Sequence, residues 1–188
     1  MKINVYDFDK TIYDGDSSVD FYIFCLKKNK LLILNILSLG ASYLLYIFKL
    51  KNKKKLKETF FKFLTKEKNI DERVVEFWNL NSNKIKKFYI NKNNHQNDVI
   101  ISASPEFLLK PICDSLKVKD LIGSSVDKKT GKFLSENCKG MEKVNRLYQK
   151  YNNITIKRVY TDSYSDKPLI DICEHAYIVK RNKIKRIK

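Results

Sequence analysis

A single apolar run, Ile3-Asn4-Val5-Tyr6, predicts one strand at the start of the chain, and residues 15–95 then carry no proline and place apolar residues at helical spacing. From residue 96 the pattern changes, and short apolar runs alternate with helical stretches to the end. In the first block, Phe21, Phe24 and Cys25 fit one helix, and Leu31 to Leu50 a second. Leu56, Phe60, Phe61 and Leu64 fit a third, and Val74, Val75, Phe77 and Trp78 open a fourth. Their aromatic stripes read as helix-packing core. In the second block, Asp98-Val99-Ile100-Ile101 reads as a buried strand, and Pro105 opens a helix through Leu116 with Ser104 as its N-cap. Leu121 to Val126 follows as a strand, Lys132-Phe133-Leu134 as a short extended piece, and Glu142 to Tyr151 as a helix. Ile154 to Tyr160 is a strand, Lys167 to Cys173 a helix, and Ala176-Tyr177-Ile178-Val179 a closing strand. The run Lys180 to Lys188 reads as a solvated basic edge. Strands alternating with helices predict an α/β fold with a parallel sheet, here with a helical block inserted directly after the first strand and loop.

The length of 188 residues suits one domain, or one core with an insertion, and 43% apolar residues are enough for a packed core. The formal net charge is +17. Such a balance suits an anionic partner, whether phosphate ester, nucleic acid or anionic membrane surface, although abundant Lys and Asn also fit a general compositional bias. No common nucleic-acid motif is visible, so nucleic acid is not expected as a partner. Cys25, Cys113, Cys138 and Cys173 are widely spread without a C-x-x-C pair. They read as small apolar residues of a reduced, cytoplasmic protein. His95 and His175 fall in no metal spacing and read as surface or turn residues. The N-terminus lacks the succession of basic, apolar and small residues that marks a secretory signal.

Chemistry concentrates in the carboxylates. Asp7 and Asp9 follow the first strand, and Asp162 and Asp166 follow the strand ending at Tyr160. In a parallel α/β sheet these positions meet at the carboxyl edge, where ligands bind. Four acids in one crevice repel each other unless a hard divalent cation relieves them. Magnesium suits one or two carboxylates together with water and phosphate oxygens. Ser102, which ends a strand, adds a hydroxyl, and Lys139, at the start of a helix, adds a fixed positive charge. A metal, a hydroxyl, a lysine and helix N-terminal amides suit a phosphoryl group. One central carboxylate can attack phosphorus, and a second can act as general acid and base. Ser104 competes with Ser102 for the hydroxyl role and is assigned to capping. Lys143 competes with Lys139, and Gly140 after Lys139 favours the latter.

In order and context these residues resemble the haloacid dehalogenase superfamily, in its phosphoserine-phosphatase-like branch with a helical cap. The first motif, D-x-D-x-T, is Asp7-Phe8-Asp9-Lys10-Thr11; the second is Ser102; the third is Lys139 in Asn137-Cys138-Lys139-Gly140; the fourth is Asp162-Ser163-Tyr164-Ser165-Asp166. The resemblance covers the whole chain. It implies a Rossmann-like doubly wound parallel sheet, with residues 1–14 and 96–188 as catalytic core and 15–95 as an all-α cap. It implies a Mg2+-dependent phosphomonoesterase in which Asp7 is nucleophile and metal ligand. Asp9 is acid/base and lends its carbonyl to the metal. Thr11 stabilises the loop, Ser102 and Lys139 hold phosphoryl oxygens, Asp162 is the third metal ligand, and Asp166 orients metal-bound water. Thr161 stands where the family often has glycine before the first acid of the fourth motif. Asp16 and Arg73 occupy candidate substrate-binding positions in the cap.

Residues 31–48 are free of charge for long enough to be considered as a membrane span, with Lys27, Lys28 and Lys30 before them and lysines from Lys49 to Lys57 after. Asn35, Ser38, Gly40 and Ser42 dilute the hydrophobicity. One crossing would put Asp7 and Ser102 on opposite sides, although both must reach one phosphate. The segment is therefore expected to be a buried cap helix, or a cap element dipping into a membrane surface beside its lysines. Residues 15–95 carry seventeen Lys and Arg against seven Asp and Glu. A phosphorylated small molecule is the expected substrate. A lipid phosphatase of the phosphatidylglycerophosphatase kind is the alternative, and a non-catalytic anion-binding protein is the alternative of another class. That last reading leaves Asp7, Asp9 and Asp162 repelling the anion with no cation to offset them.

Overall fold

The computed structural model describes residues 1–50 and 52–188. Six strands form one sheet: β1 (Lys2–Tyr6), β2 (Asp98–Pro105), β3 (Asp120–Ser124), β4 (Thr155–Thr161), β5 (His175–Lys180) and β6 (Lys183–Arg186), in the order β3-β2-β1-β4-β5-β6. The first five strands are parallel, and β6 runs antiparallel to β5. This is the α/β sheet expected from the alternating pattern, in the Rossmann-like arrangement that the family resemblance implies. The chain reverses direction across the sheet at β1, between β2 and β4, so the loops after these three strands open onto one crevice.

Alternation along the strands divides the core into two apolar clusters. Ile3, Val5, Val99, Ile101, Ile156 and Val159 face one side, where they meet Val144 and Leu147 of α7 (Met141–Lys150) and Leu169 of α8 (Lys167–Asp171). Tyr6 and Ile100 face the other, where they meet Leu108, Leu109 and Ile112 of α6 (Glu106–Ser115). The helices after β1 join this second cluster. Phe21 and Cys25 of α1 (Ser17–Lys28) and Val74, Phe77 and Trp78 of α4 (Ile70–Asn81) are all buried in it. The aromatic stripes are thus packing core. Trp78 Nε1 donates to Leu108 O at 2.6 Å, tying α4 to α6.

The second and third inserted helices, α2 (Ile33–Ile47) and α3 (Lys53–Phe61), pack against each other, and a single turn, α5 (Lys87–Ile90), precedes β2. The expectation that α2 could be a buried cap helix is not met. Leu31, Ile33, Leu34, Leu37, Leu44, Ile47 and Phe48 are exposed, whereas the buried residues within the helix are Asn35 and Ser42. Asn35 Nδ2 donates to Phe60 O at 3.0 Å, and Ser42 Oγ donates to Thr59 Oγ1 at 3.1 Å. By length and composition Lys30–Ile47 could cross a membrane. Among the lysines after it, Lys51 lies outside the described residues.

The basic run after Lys180 is solvated as expected, every side chain of Lys183–Arg186 being exposed, and it forms the edge strand β6, whose backbone pairs with β5. One other expectation is corrected. His95 is not a free surface residue. Its Nδ1 lies 3.1 Å from Oδ2 of the buried Asp98, and its ring packs on Tyr89 with centroids 4.5 Å apart. Lys92 Nζ also binds Asp98, so this cluster ties the chain entering β2 to the amino end of the sheet, opposite the crevice.

Candidate active site

β1 ends in the sheet centre, and its continuation, Asp7 to Thr11, folds over the carboxyl edge. Asp7 N donates to Tyr160 O at 2.9 Å, extending the pairing of β1 with β4 by one residue. The turn closes on Phe8 O, which accepts from the amides of Thr11, Ile12 and Tyr13 at 3.0–3.2 Å. Lys10 takes a left-handed φ of 60° to complete it. Phe8 is fully buried and anchors the turn, so the flanking Asp7 and Asp9 are directed to the crevice. A cavity of about 370 Å³ lies there, lined by Asp7, Asp9, Asp16, Ser102, Lys139, Asp162 and Asp166 among others.

Asp7 receives Thr11 Oγ1 on Oδ2 at 3.2 Å and Lys143 Nζ on Oδ1 at 2.8 Å. The same ammonium reaches Asp166 Oδ2 at 2.8 Å, and Thr161 Oγ1 donates to that oxygen at 2.9 Å. Burial raises the Asp7 pKa. Lys143 opposes that shift, and the charges of Asp166 and Asp162 add to it. Lys143 is itself buried; burial favours its neutral form, but the two carboxylates outweigh this and raise its pKa. The three groups therefore form one ionic unit.

The structure thus reverses the order of the two candidate lysines. Lys139 lines the cavity, but Lys143, one turn into α7, sits between Asp7 and Asp166. A helical side chain points back towards the helix N-terminus, and α7 begins at Met141, so a residue in its first turn reaches the sheet edge. Ser104 likewise departs from its expected role. α6 has no side-chain cap, with Pro105 at its N-cap position. Ser104 Oγ instead donates to Asp9 Oδ2 at 2.5 Å. Ser102 is buried beside it and accepts Ser104 N on Oγ at 3.1 Å. Both hydroxyls therefore belong to the site.

Asp9 differs from Asp7 in having no ion pair among the described residues. Its Oδ1 accepts Ser17 N at 2.7 Å, at the start of α1, and Ser104 serves its other oxygen. Burial and then the Asp16 charge push its pKa up to about 7, despite the opposing hydrogen bonds from Ser104 and Ser17. Asp16 is the N-cap of α1, accepting Val19 N at 3.1 Å, and it lines the cavity. Arg73 does not line it: on α4 it pairs with Glu67 at 3.4 Å and Glu76 at 3.1 Å. It lines a different depression, with Asn29 and Lys66. α3 instead brings Lys57, Phe60 and Phe61 to the wall, residues that motif reading left unassigned. Lys57 Nζ contacts Asn137 Oδ1 at 2.9 Å.

No group of three His, Cys, Asp or Glu side chains among the described residues forms a metal cage. The donor set is of a sparser kind: carboxylates of Asp7 and Asp162 on one cavity, with the loop carbonyl of Asp9 between them in sequence. Two carboxylates with a carbonyl fit a hard cation that completes its shell with water and phosphate oxygens.

A family model of haloacid dehalogenase-like hydrolases matches residues 5–171. No curated relative matches the sequence. A protein of unknown function from Bordetella pertussis Tohama I shares the fold, with TM-score 0.72, 15% identity, and 93% of this chain and 88% of that one covered. A phosphoserine phosphohydrolase-like protein from Francisella tularensis is similar with TM-score 0.56, 14% identity and coverage of 94% and 86%. A phosphoserine phosphatase solved as a phospho-aspartyl intermediate analogue is similar with TM-score 0.54, 14% identity and coverage of 93% and 84%.

Proposed function

This chain belongs to the haloacid dehalogenase-like hydrolases, and from that premise we propose that it is a magnesium-dependent phosphomonoesterase working through an aspartyl-phosphate. The observation that carries this reading is the contrast between Asp7 and Asp9. Two acids two residues apart line one cavity, one against the ammonium of Lys143 and the other buried without an ion pair among the described residues. Lys143 favours the ionised, nucleophilic form of Asp7, whereas a carboxyl with its pKa pushed up to about 7 can hold a proton for a leaving group near neutrality.

Asp7 attacks phosphorus, the bond from phosphorus to the ester oxygen breaks, and Asp9 gives its proton to the departing alkoxide. Asp9 then takes a proton from water as the water oxygen attacks the phosphorus of the aspartyl-phosphate. The bond to Asp7 breaks, and inorganic phosphate leaves. Ser102 and Lys139, on the cavity wall, hold phosphoryl oxygens, and Lys143 keeps Asp7 and Asp166 in register. Thr11 fixes the second oxygen of Asp7. Asp7, the Asp9 carbonyl and Asp162 would hold Mg2+, which supplies counter-charge to the phosphoryl oxygens, and Asp166 lies behind them. The phosphoserine phosphatase with its phospho-aspartyl analogue supports this chemistry by shared fold.

Phosphate release from an aryl phosphate tests the reading. It is expected with Mg2+, lost on chelation, and reduced by roughly three orders of magnitude or more in Asp7→Asn. Equal rates for wild type and Asp7→Asn would exclude the nucleophile, and binding of phosphate without turnover would favour an anion-binding protein.

A further inference from the structure

We propose that the outward face of α2 docks on an anionic lipid surface. The helix packs by polar residues. Asn35 and Ser42, 7% and 3% exposed, turn inward to α3, while Ser38 stays exposed beside Leu37 and Leu44, 71% and 57% exposed, and the flanking Leu31 and Phe48, 69% and 70% exposed, also turn outward. Asn35 and Ser42 lie seven residues apart, so they share one stripe, and that stripe is the one that packs. In water the stable arrangement is the reverse, because exposed apolar area is costly and buried hydroxyls and amides need partners. Here those partners are supplied by Phe60 O and Thr59, which fixes the orientation from the polar side.

Charge selects the kind of surface. Lys27 and Lys30 precede the apolar face and Lys49 and Lys55 follow it, with no acid in the sequence from Lys27 to Lys57, while Lys28 and Lys54 pair with Glu76 and Glu136 at 2.6 and 2.7 Å. Apolar residues flanked at both ends by lysines match an anionic lipid interface, where side chains enter the acyl boundary and ammonium groups meet headgroups. Packing favours lying over crossing: Lys30–Ile47 has the length and composition of a span, but Asn35 and Ser42 hold one side of α2 on α3, and a single crossing would put Asp7 and Ser102 on opposite sides. α3, which packs back on α2, begins with Lys53-Lys54-Lys55. Phe60 and Phe61 of α3 line the cavity on their other side, so the docked face lies one helix away from Asp7. This proposal stands apart from the catalytic reading and can fail alone.

Flotation of the full chain with vesicles of phosphatidylcholine, with or without phosphatidylglycerol, tests it. Binding is expected with phosphatidylglycerol at low salt, weakening as salt rises. Leu37→Asp combined with Leu44→Asp is expected to lower partitioning about tenfold or more, leaving the circular dichroism spectrum and aryl-phosphate turnover unchanged. Lys30→Glu combined with Lys55→Glu is expected to remove the preference for anionic vesicles. A Leu37→Cys variant bearing an environment-sensitive fluorophore, attached while the four native cysteines are buried, should report apolar surroundings with anionic vesicles. No flotation of wild type at low salt, or unchanged flotation of the double aspartate variant, overturns the proposal. So does a lipid-free dimer that the aspartate variant splits, because a second copy would then cover the face.

Discussion

The catalytic crevice and helix α2 both place side chains against the ordinary sorting of polar and apolar groups, and they do so in opposite ways. In the crevice Asp7, Asp166 and Lys143 are withdrawn from water, and each finds an oppositely charged or hydroxyl partner within 3.2 Å. On α2 the withdrawn groups are two neutral polar side chains, and the cost falls on leucines left in solvent. In the crevice the withdrawn charges are paired with one another, whereas on α2, among the described residues, the side chains that find hydrogen-bond partners are the polar Asn35 and Ser42. Buried charge in one place carries the proposed reaction; exposed hydrocarbon in the other carries the proposed docking.

The largest expected effect breaks the first half of this contrast. Lys143→Met leaves Asp7 and Asp166 buried without their cation and should destabilise the fold by about 3–5 kcal/mol near neutral pH. Asp7 already has a raised pKa in the folded state. Removing the ammonium raises it further above its unfolded value, so the folded chain takes up the proton first. The lost stability should therefore return partly as pH falls through that folded pKa. Urea unfolding across pH checks this, and Lys139→Met should cost less; the opposite ranking would restore Lys139 to the central position.

Next in size is Trp78→Phe. It removes the donor to the buried Leu108 carbonyl and should lower stability by about 2 kcal/mol in urea unfolding. A negligible change would mean that α4 and α6 are held by apolar packing alone. Ser104→Ala should act mainly on the rate profile. With a poor alkyl leaving group, kcat/KM should fall as pH rises through about 7, where Asp9 loses the proton it must donate. The Ser104 hydrogen bond favours the charged form of Asp9, so its loss should move the falling limb to higher pH. An unmoved limb would separate Asp9 from that proton. The smallest effect belongs to α2: Leu44→Gln should change stability in lipid-free buffer by less than about 0.5 kcal/mol. A larger loss in thermal unfolding would show that the face is covered in solution.

Much of the fold was readable from the apolar pattern of its strands. Val99-Ile100-Ile101 is apolar and buried on both faces and could be placed without knowing the topology, whereas β4 was marked by Ile156 and Val159, buried among the exposed Thr155 and Lys157. β6 was not readable, because Lys183, Ile184, Lys185 and Arg186 are all exposed and only backbone pairing with β5 makes them a strand. The acids of the site followed from motif and strand order. Lys143 was passed over because Gly140 drew attention to Lys139, which lines the same cavity. A usable signal did exist: Lys143 shares a buried helix face with Val144 and Leu147, an unusual place for an unpaired ammonium. The same oversight applied to α2. Asn35 and Ser42 were read as diluting its hydrophobicity, although their seven-residue spacing placed them on one stripe. Ser104 escaped for a different reason: its partner, Asp9, is 95 positions away, and a local cap was the nearer explanation.

The lysines also make the surface a chemical record. Among the described residues, the buried ones are Lys143, between two carboxylates, and Lys86, whose ammonium binds the carbonyls of Lys10 and Arg181 at 2.6 and 2.8 Å. Lys86 thereby joins the turn after β1 to the β5–β6 hairpin. An acylating reagent that consumes exposed amines should reach these two last. Early modification at Lys86 would mark separation of the hairpin from the loop that carries Asp7 and Asp9, a breathing motion that peptide mass mapping could time.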